Sequence, residues 1–264
     1  MNELDSALAD QDPDRYVANF FAPAAARPAL TALYSFDNEL RRVGLTVREP
    51  MAGHIRLAWW REQIAAIYDG RPVHAPVPLA LAAVVARWQL PRALLEGCID
   101  GRAHDLEETP FADEAAFEAY ADATSGGLLL TAARALGADR IDDVAHHAGR
   151  AAAYGAALRE FAAARRLRRY RLPLAWLNEA GLNAEDAFAT ETTTATLEAV
   201  FRRARARAAF ALDRVNRSRF RLKAMPAIAV AVTARRTFDP LAPADDAPWR
   251  RVARLALANL MWRV

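Results

Sequence analysis

The chain has 264 residues, of which 53% are hydrophobic and 25% charged, with a formal net charge of +3. That balance supports a packed core and excludes a disordered chain. Cys98 is the only cysteine, which excludes an intramolecular disulfide and a cysteine-ligated metal cluster.

In chain order, acids precede the first arginine, Arg15. This is the opposite of a secretory or mitochondrial leader, so the expected location is the cytoplasm. Pro28 opens a helix over 29–43, because proline is tolerated in the first turn. Residues 49–53 (EPMAG) are expected to break it. A second helix is predicted over 54–68, ended by Asp69-Gly70-Arg71-Pro72, and Pro76 and Pro78 lead the next. Further helices are predicted over 79–88, 91–107, 113–136, 139–167, 173–181, 184–188, 194–220, 223–236 and 247–263. Residues 237–248 hold three prolines and form the longest break. No uninterrupted apolar run reaches the ~18 residues of a membrane span. The expectation is one all-α domain over 1–264, with roughly ten helices.

Charge is unevenly placed. Residues 1–200 carry 20 Lys/Arg and 28 Asp/Glu, whereas 201–236 carry 11 bases and one acid, Asp213. The basic run 202–223 has too many arginines for one helix face. Some must pair with acids elsewhere, and the remainder suit an acidic protein or an anionic membrane surface. Aromatics are not interleaved with these bases as stacking platforms, so nucleic acid is not expected. The segment from Trp249 onward is amphipathic and is expected to dock on the core through one apolar face.

No phosphate loop, metalloprotease helix or nucleophile elbow is present. Asp142/His146 and Asp143/His147 have one-turn spacing but lack further ligands, and read as surface helix residues.

Three segments carry a family resemblance. They are ALTALYSFDNELRRV (29–43); IRLAWWR (55–61) with Ile67-Tyr68-Asp69-Gly70 and His74-Ala75-Pro76; and YGAALRE (154–160), leading to Arg171-Leu172-Pro173. Together these resemble the squalene/phytoene synthase family. The IRLAWWR segment, the Ile-Tyr-Asp-Gly turn and the His-x-Pro that follows look like its branch without aspartate motifs, which includes respiratory complex I assembly factors. The resemblance implies an isoprenoid-synthase-like helical bundle around a central cavity.

Active members of that family clamp a prenyl diphosphate with magnesium held by aspartates spaced four apart on facing helices. Magnesium prefers carboxylate oxygens in octahedral geometry. Laid on those motifs, this chain has Arg41 and Leu45 at the first pair and Glu160 and Ala164 at the second. A one-turn shift would place Asp37 and Arg41 at the first pair.

The resemblance therefore implies a non-catalytic protein with an assembly or lipid-handling role near a membrane respiratory complex, peripheral to the inner membrane. No cofactor is expected. An active prenyltransferase with an atypical site is the alternative, and only that reading calls for Mg2+. A basic-surface module binding anionic lipid or an acidic protein is a third. Candidate cavity residues, for an isoprenoid or lipid ligand, are Tyr34, Asp37, Arg41, Asp105, Tyr120, Ser125, Gly126, Arg159 and Glu160. Ser125-Gly126-Gly127 costs a helix about 1 kcal/mol per glycine relative to alanine, so it marks a kink or a close approach.

Overall fold

The computed structural model describes residues 3–189, 195–218, 222–231 and 248–261. Regular structure among them is entirely helical. Two helices open the chain, α1 (Glu3–Gln11) and α2 (Pro13–Asn19). Neither was expected from the sequence. Asp12 explains the second: its carboxylate accepts from the Arg15 amide at 3.1 Å, and Pro13 takes the first helical position.

The centre of the molecule is α3 (Arg27–Thr46), with Leu30, Leu33, Tyr34, Phe36 and Leu40 fully buried. Next come α4 (Pro50–Tyr68), α5 (Pro76–Trp88) and α6 (Arg92–Arg102). Helix α4 begins at Pro50, not at His54 as the EPMAG break suggested. Gly53 lies inside it because a β-carbon there would sit 2.4 Å from Leu106 Cδ2. The predicted 91–107 helix tightens after Arg102 into a 3₁₀ turn, Ala103–Leu106, which turns Asp105 inward to burial.

The predicted 113–136 helix forms as α7 (Glu114–Ala121), a π-turn over Asp122–Gly126, and α8 (Gly127–Ala135). The cause is α9 (Asp142–Arg159), whose Gly149 passes so close that a β-carbon would lie 2.4 Å from the Gly126 nitrogen. Extra residues in a helical turn open such a gap.

The predicted 139–167 helix breaks at Glu160, and α10 (Phe161–Arg166) follows. The chain continues through α11 (Leu174–Glu179), α12 (Glu198–Arg217), α13 (Met225–Ile228) and α14 (Pro248–Met261). Residues 184–188 form turns, not a helix. The proline-rich 237–247 stretch lies outside the described residues.

Three apolar clusters hold these helices. One joins α3 to α4, α5 and α6. A second joins α8 and α9 to α12, α13 and α14. The third joins α7, α9, α11 and α12. Of the tryptophan pair, Trp60 is buried against Phe36 and Trp59 lies at the edge. Cys98 is buried beside the carbonyls of Ala123 and Thr124.

Helix α14 docks through Leu255 and Ala258, with Arg251 paired to Asp14 at 2.7 Å. Val252, Leu260 and Met261, which helical spacing grouped with Leu255, point outward instead. Among the described residues no helix is long and apolar enough to cross a membrane.

Candidate functional site

Helices α2, α3, α6, α7 and α9, with the 169–172 link, converge on a chain of buried charges. Asp37, on α3, lies at its base. Arg15 Nη1 donates to Asp37 Oδ2 at 2.7 Å and Arg102 Nη2 to Oδ1 at 2.9 Å. Arg102 also reaches Asp105 at 3.2 Å and the Tyr120 hydroxyl at 2.6 Å, and Tyr120 donates to Asp105 at 2.9 Å. Arg171 joins Asp105, at 3.4 Å, to Glu160, at 2.8 Å. Arg41 closes the network on the other oxygen of Glu160. It also stands 3.7 Å from Asp12.

Local sequence puts these groups in reach. Asp37 and Arg41 are one turn apart on α3 and share a face. Gly44 permits the approach of the other side: a β-carbon there would meet Asp105 Cβ at 2.6 Å and Arg171 Nη2 at 2.9 Å. The break at Glu160 presents its carboxylate to both Arg41 and Arg171.

Electrostatics favours the charged forms. Burial would raise the Asp37 carboxyl, but the guanidinium groups of Arg102, Arg15 and Arg41 outweigh it and hold it well below the usual range. Glu160 follows the same logic: burial pushes up, Arg41 and Arg171 push down, and the net shift is downward. Burial raises the phenols of Tyr120 and Tyr34. Arg159 is lowered by burial and by the neighbouring Arg41.

Above this network lies a cavity of about 210 Å³. Arg41, Tyr120, Ser125, Arg159 and Glu160 line it, with Asp12, Arg15, Arg102 and Arg171. Asp37 and Asp105 sit beneath, in the ion pairs. Tyr34 is fully buried under the Arg15 guanidinium, 5.2 Å from its ring centre. Gly126 faces α9, where its β-carbon would touch His146.

Sequence reasoning missed Asp12, Arg15 and Arg102. The Asp12-Pro13 helix start was the readable signal for the first two. For Arg102 the readable signal was its three-residue spacing to Asp105; its other partners, Asp37, 65 residues away, and Tyr120, leave no mark on local spacing.

The residues do not fit magnesium as facing aspartate pairs would. On the register that the resemblance implies, Arg41 and Leu45 would take one pair of positions, and Ala164 half of the other. Asp37, Asp105 and Glu160 each already face one or more guanidinium groups. Among the described residues, no group of three or more His, Cys, Asp or Glu is placed to hold a metal ion.

The architecture is that of squalene-synthase-type helical bundles. A dehydrosqualene synthase crystal structure superposes with a TM-score of 0.80 at 18% identity, covering 98% of this chain and 95% of that one. The sequence profile described as Squalene/phytoene synthase matches residues 8–260, and the chain belongs to that family. Its relatives include the human NADH dehydrogenase (ubiquinone) complex I, assembly factor 6. That protein is 30% identical over 146 residues, covering 54% of this chain and 44% of the relative. A phytoene synthase of Rhodobacter capsulatus is also 30% identical, over 201 residues, covering 71% of this chain and 56% of the relative. The chain thus spans about half the length of the curated relatives it matches.

Proposed function

We propose that this chain is a non-catalytic member of the squalene/phytoene synthase family, with an assembly-factor or lipid-handling role near a membrane respiratory complex. The observation that carries the reading is the Arg41–Glu160 ion pair, which spans the positions where the family places magnesium carboxylates. Ionising an allylic diphosphate develops anionic charge that metal ions neutralise. Here the acids are neutralised by arginines instead. The cavity also falls below the roughly 300–1,000 Å³ of small-molecule sites. The likeness to complex I assembly factor 6 supports the assembly role.

The test has two arms. Purified protein incubated with farnesyl or geranylgeranyl diphosphate and Mg2+ is expected to release no diphosphate. Deletion of the gene is expected to lower assembled NADH:ubiquinone oxidoreductase, with recovery on re-expression. Turnover in the first arm, or normal assembly in the second, would overturn the corresponding half of the reading.

One observation favours the transferase alternative: Asp37, Asp105 and Glu160 do converge on one network. The same turnover assay decides it. Docking through the basic segment rests on Arg202, Arg214 and Lys223, which are exposed. Arg203, Arg205, Arg207 and Arg217 are engaged by Glu179, Glu198, Glu114 and Asp213 respectively. Arg219 and Arg221 lie outside the described residues. Sedimentation with anionic vesicles at low and high salt tests this surface.

A further inference from the structure

On the opposite flank of α3, a groove of about 590 Å³ lies between α1, α3 and α4. Its volume falls within the roughly 300–1,000 Å³ of small-molecule sites. The floor is one face of α3, where Ser35, Asn38, Glu39 and Arg42 recur at helical spacing. The walls are apolar: Leu4 and Leu8 from α1, and Ile55, Trp59 and Trp60 from α4. Ile55 is 64% exposed and Trp59 40%, which leaves the α4 side open.

Two groups on the floor point to a ligand. Ser35 and Asn38 are 8% and 5% exposed, and Ser35 Oγ and Asn38 Nδ2 are covered atoms with no hydrogen-bond partner among the described residues. The Asn38 amide is oriented by its neighbour, because Arg15 Nη1 lies 3.5 Å from Oδ1. A guanidinium only donates, so the reversed amide would set donor against donor. Nδ2 is thereby held as a donor in want of an acceptor. Arg42 and Arg56 flank Glu39 along the same groove and leave one net positive charge.

We propose that this groove binds a single-chain amphiphile with a carboxylate head. The tail lies between the α1 and α4 walls. The head lies beside Arg42 and Arg56, and Asn38 Nδ2 and Ser35 Oγ, which have no exposed surface in this structure, turn outward to donate to it. At the 1.5 Å rise per residue, Ser35 to Val43 spans about 12 Å, which suits a tail of medium length. The site stands apart from the central cavity, so it holds whether or not that cavity is catalytic.

The test is titration of the full chain with decanoate, in the absence of Mg2+ and diphosphate. Calorimetry and ¹H–¹⁵N spectra of the side-chain amides follow it. Saturable one-to-one binding is expected below the micellar concentration, with the Asn38 amide signals displaced. Asn38→Leu is expected to weaken binding at least tenfold, and Ala7→Trp, which fills the groove from α1, to abolish it. Ile55→Glu sits at an exposed position compatible with folding, and weakens decanoate through charge at the mouth. 1-Decanol, with the same chain and no charge, binds at least tenfold more weakly. Absence of saturable binding would overturn the site, as would binding unchanged in both Asn38→Leu and Ile55→Glu. Decanol binding as tightly as decanoate would overturn the carboxylate head.

Discussion

Helix α3 separates two spaces with opposite character. On one side, Asp37 and Arg41 enter a chain of ion pairs beneath a small polar cavity. On the other, Ser35 and Asn38 floor a larger groove with apolar walls and polar atoms that lack partners. The first space holds more charge, paired into a network that still leaves Arg102 Nε and Arg171 Nη2 without hydrogen-bond partners among the described residues. The second holds less charge, more volume and apolar walls. Room for a ligand in a pocket is not set by the number of ionisable groups that line it.

If the comparison is right, the two sides should respond differently to substitution. Arg102→Ala should show the largest effect, because it removes the guanidinium that Asp37 and Asp105 share in the interior, leaving Arg15 to one and Arg171 to the other. Breaking a buried pair in this way costs about 3–5 kcal/mol, to be read as a fall in the denaturant midpoint. A loss below 1 kcal/mol would mean that the network is not what holds this side together.

Gly149→Ala should follow, at about 1–3 kcal/mol from overpacking against the Gly126 backbone. It should leave decanoate affinity in the groove unchanged, which calorimetry on the folded fraction reads.

A third effect is set by pH. Asp37 and Glu160 have folded values below their unfolded ones, near 3.9 and 4.3. Their contribution is complete above about pH 5 and is lost as pH falls through the unfolded and then the lower folded values. Burial lowers His104 and His147, so the unfolded chain takes up protons first as pH drops through about 6.5. Thermal melts should show a shallow decline from pH 7 to 5 and a steeper one below about 5. His104→Gln should reduce the upper step only.

The smallest effect belongs to the groove. Ile55→Ser, at a 64% exposed position, should change stability by no more than about 0.5 kcal/mol. A larger loss would show that the α4 wall is part of the core and would blur the contrast.

Much of this architecture was readable from periodicity. Proline at first turns and glycine at breaks located most helices. The helices at the start of the chain were not read, because α1 and α2 bury few residues: Leu8, Ala18 and little else that is apolar. Asp12 and Arg15 went with them.

The site was legible as a set of positions but not as a circuit. Arg41 and Glu160 are 119 residues apart, and no local spacing encodes which acid an arginine meets. The break at Glu160 had the same origin. Ala-rich sequence on both sides favours a continuous helix, and a tertiary ion pair overrides that preference.

The lone thiol gives the molecule an internal clock. Cys98 lies against the π-turn carbonyls, and burial pushes its thiol up to about 12. Reaction requires the thiolate and access to it. A thiol reagent will therefore modify this chain only when α6 parts from the segment joining α7 to α8. The rate of labelling at neutral pH counts those openings one molecule at a time, with no second cysteine to confuse the record.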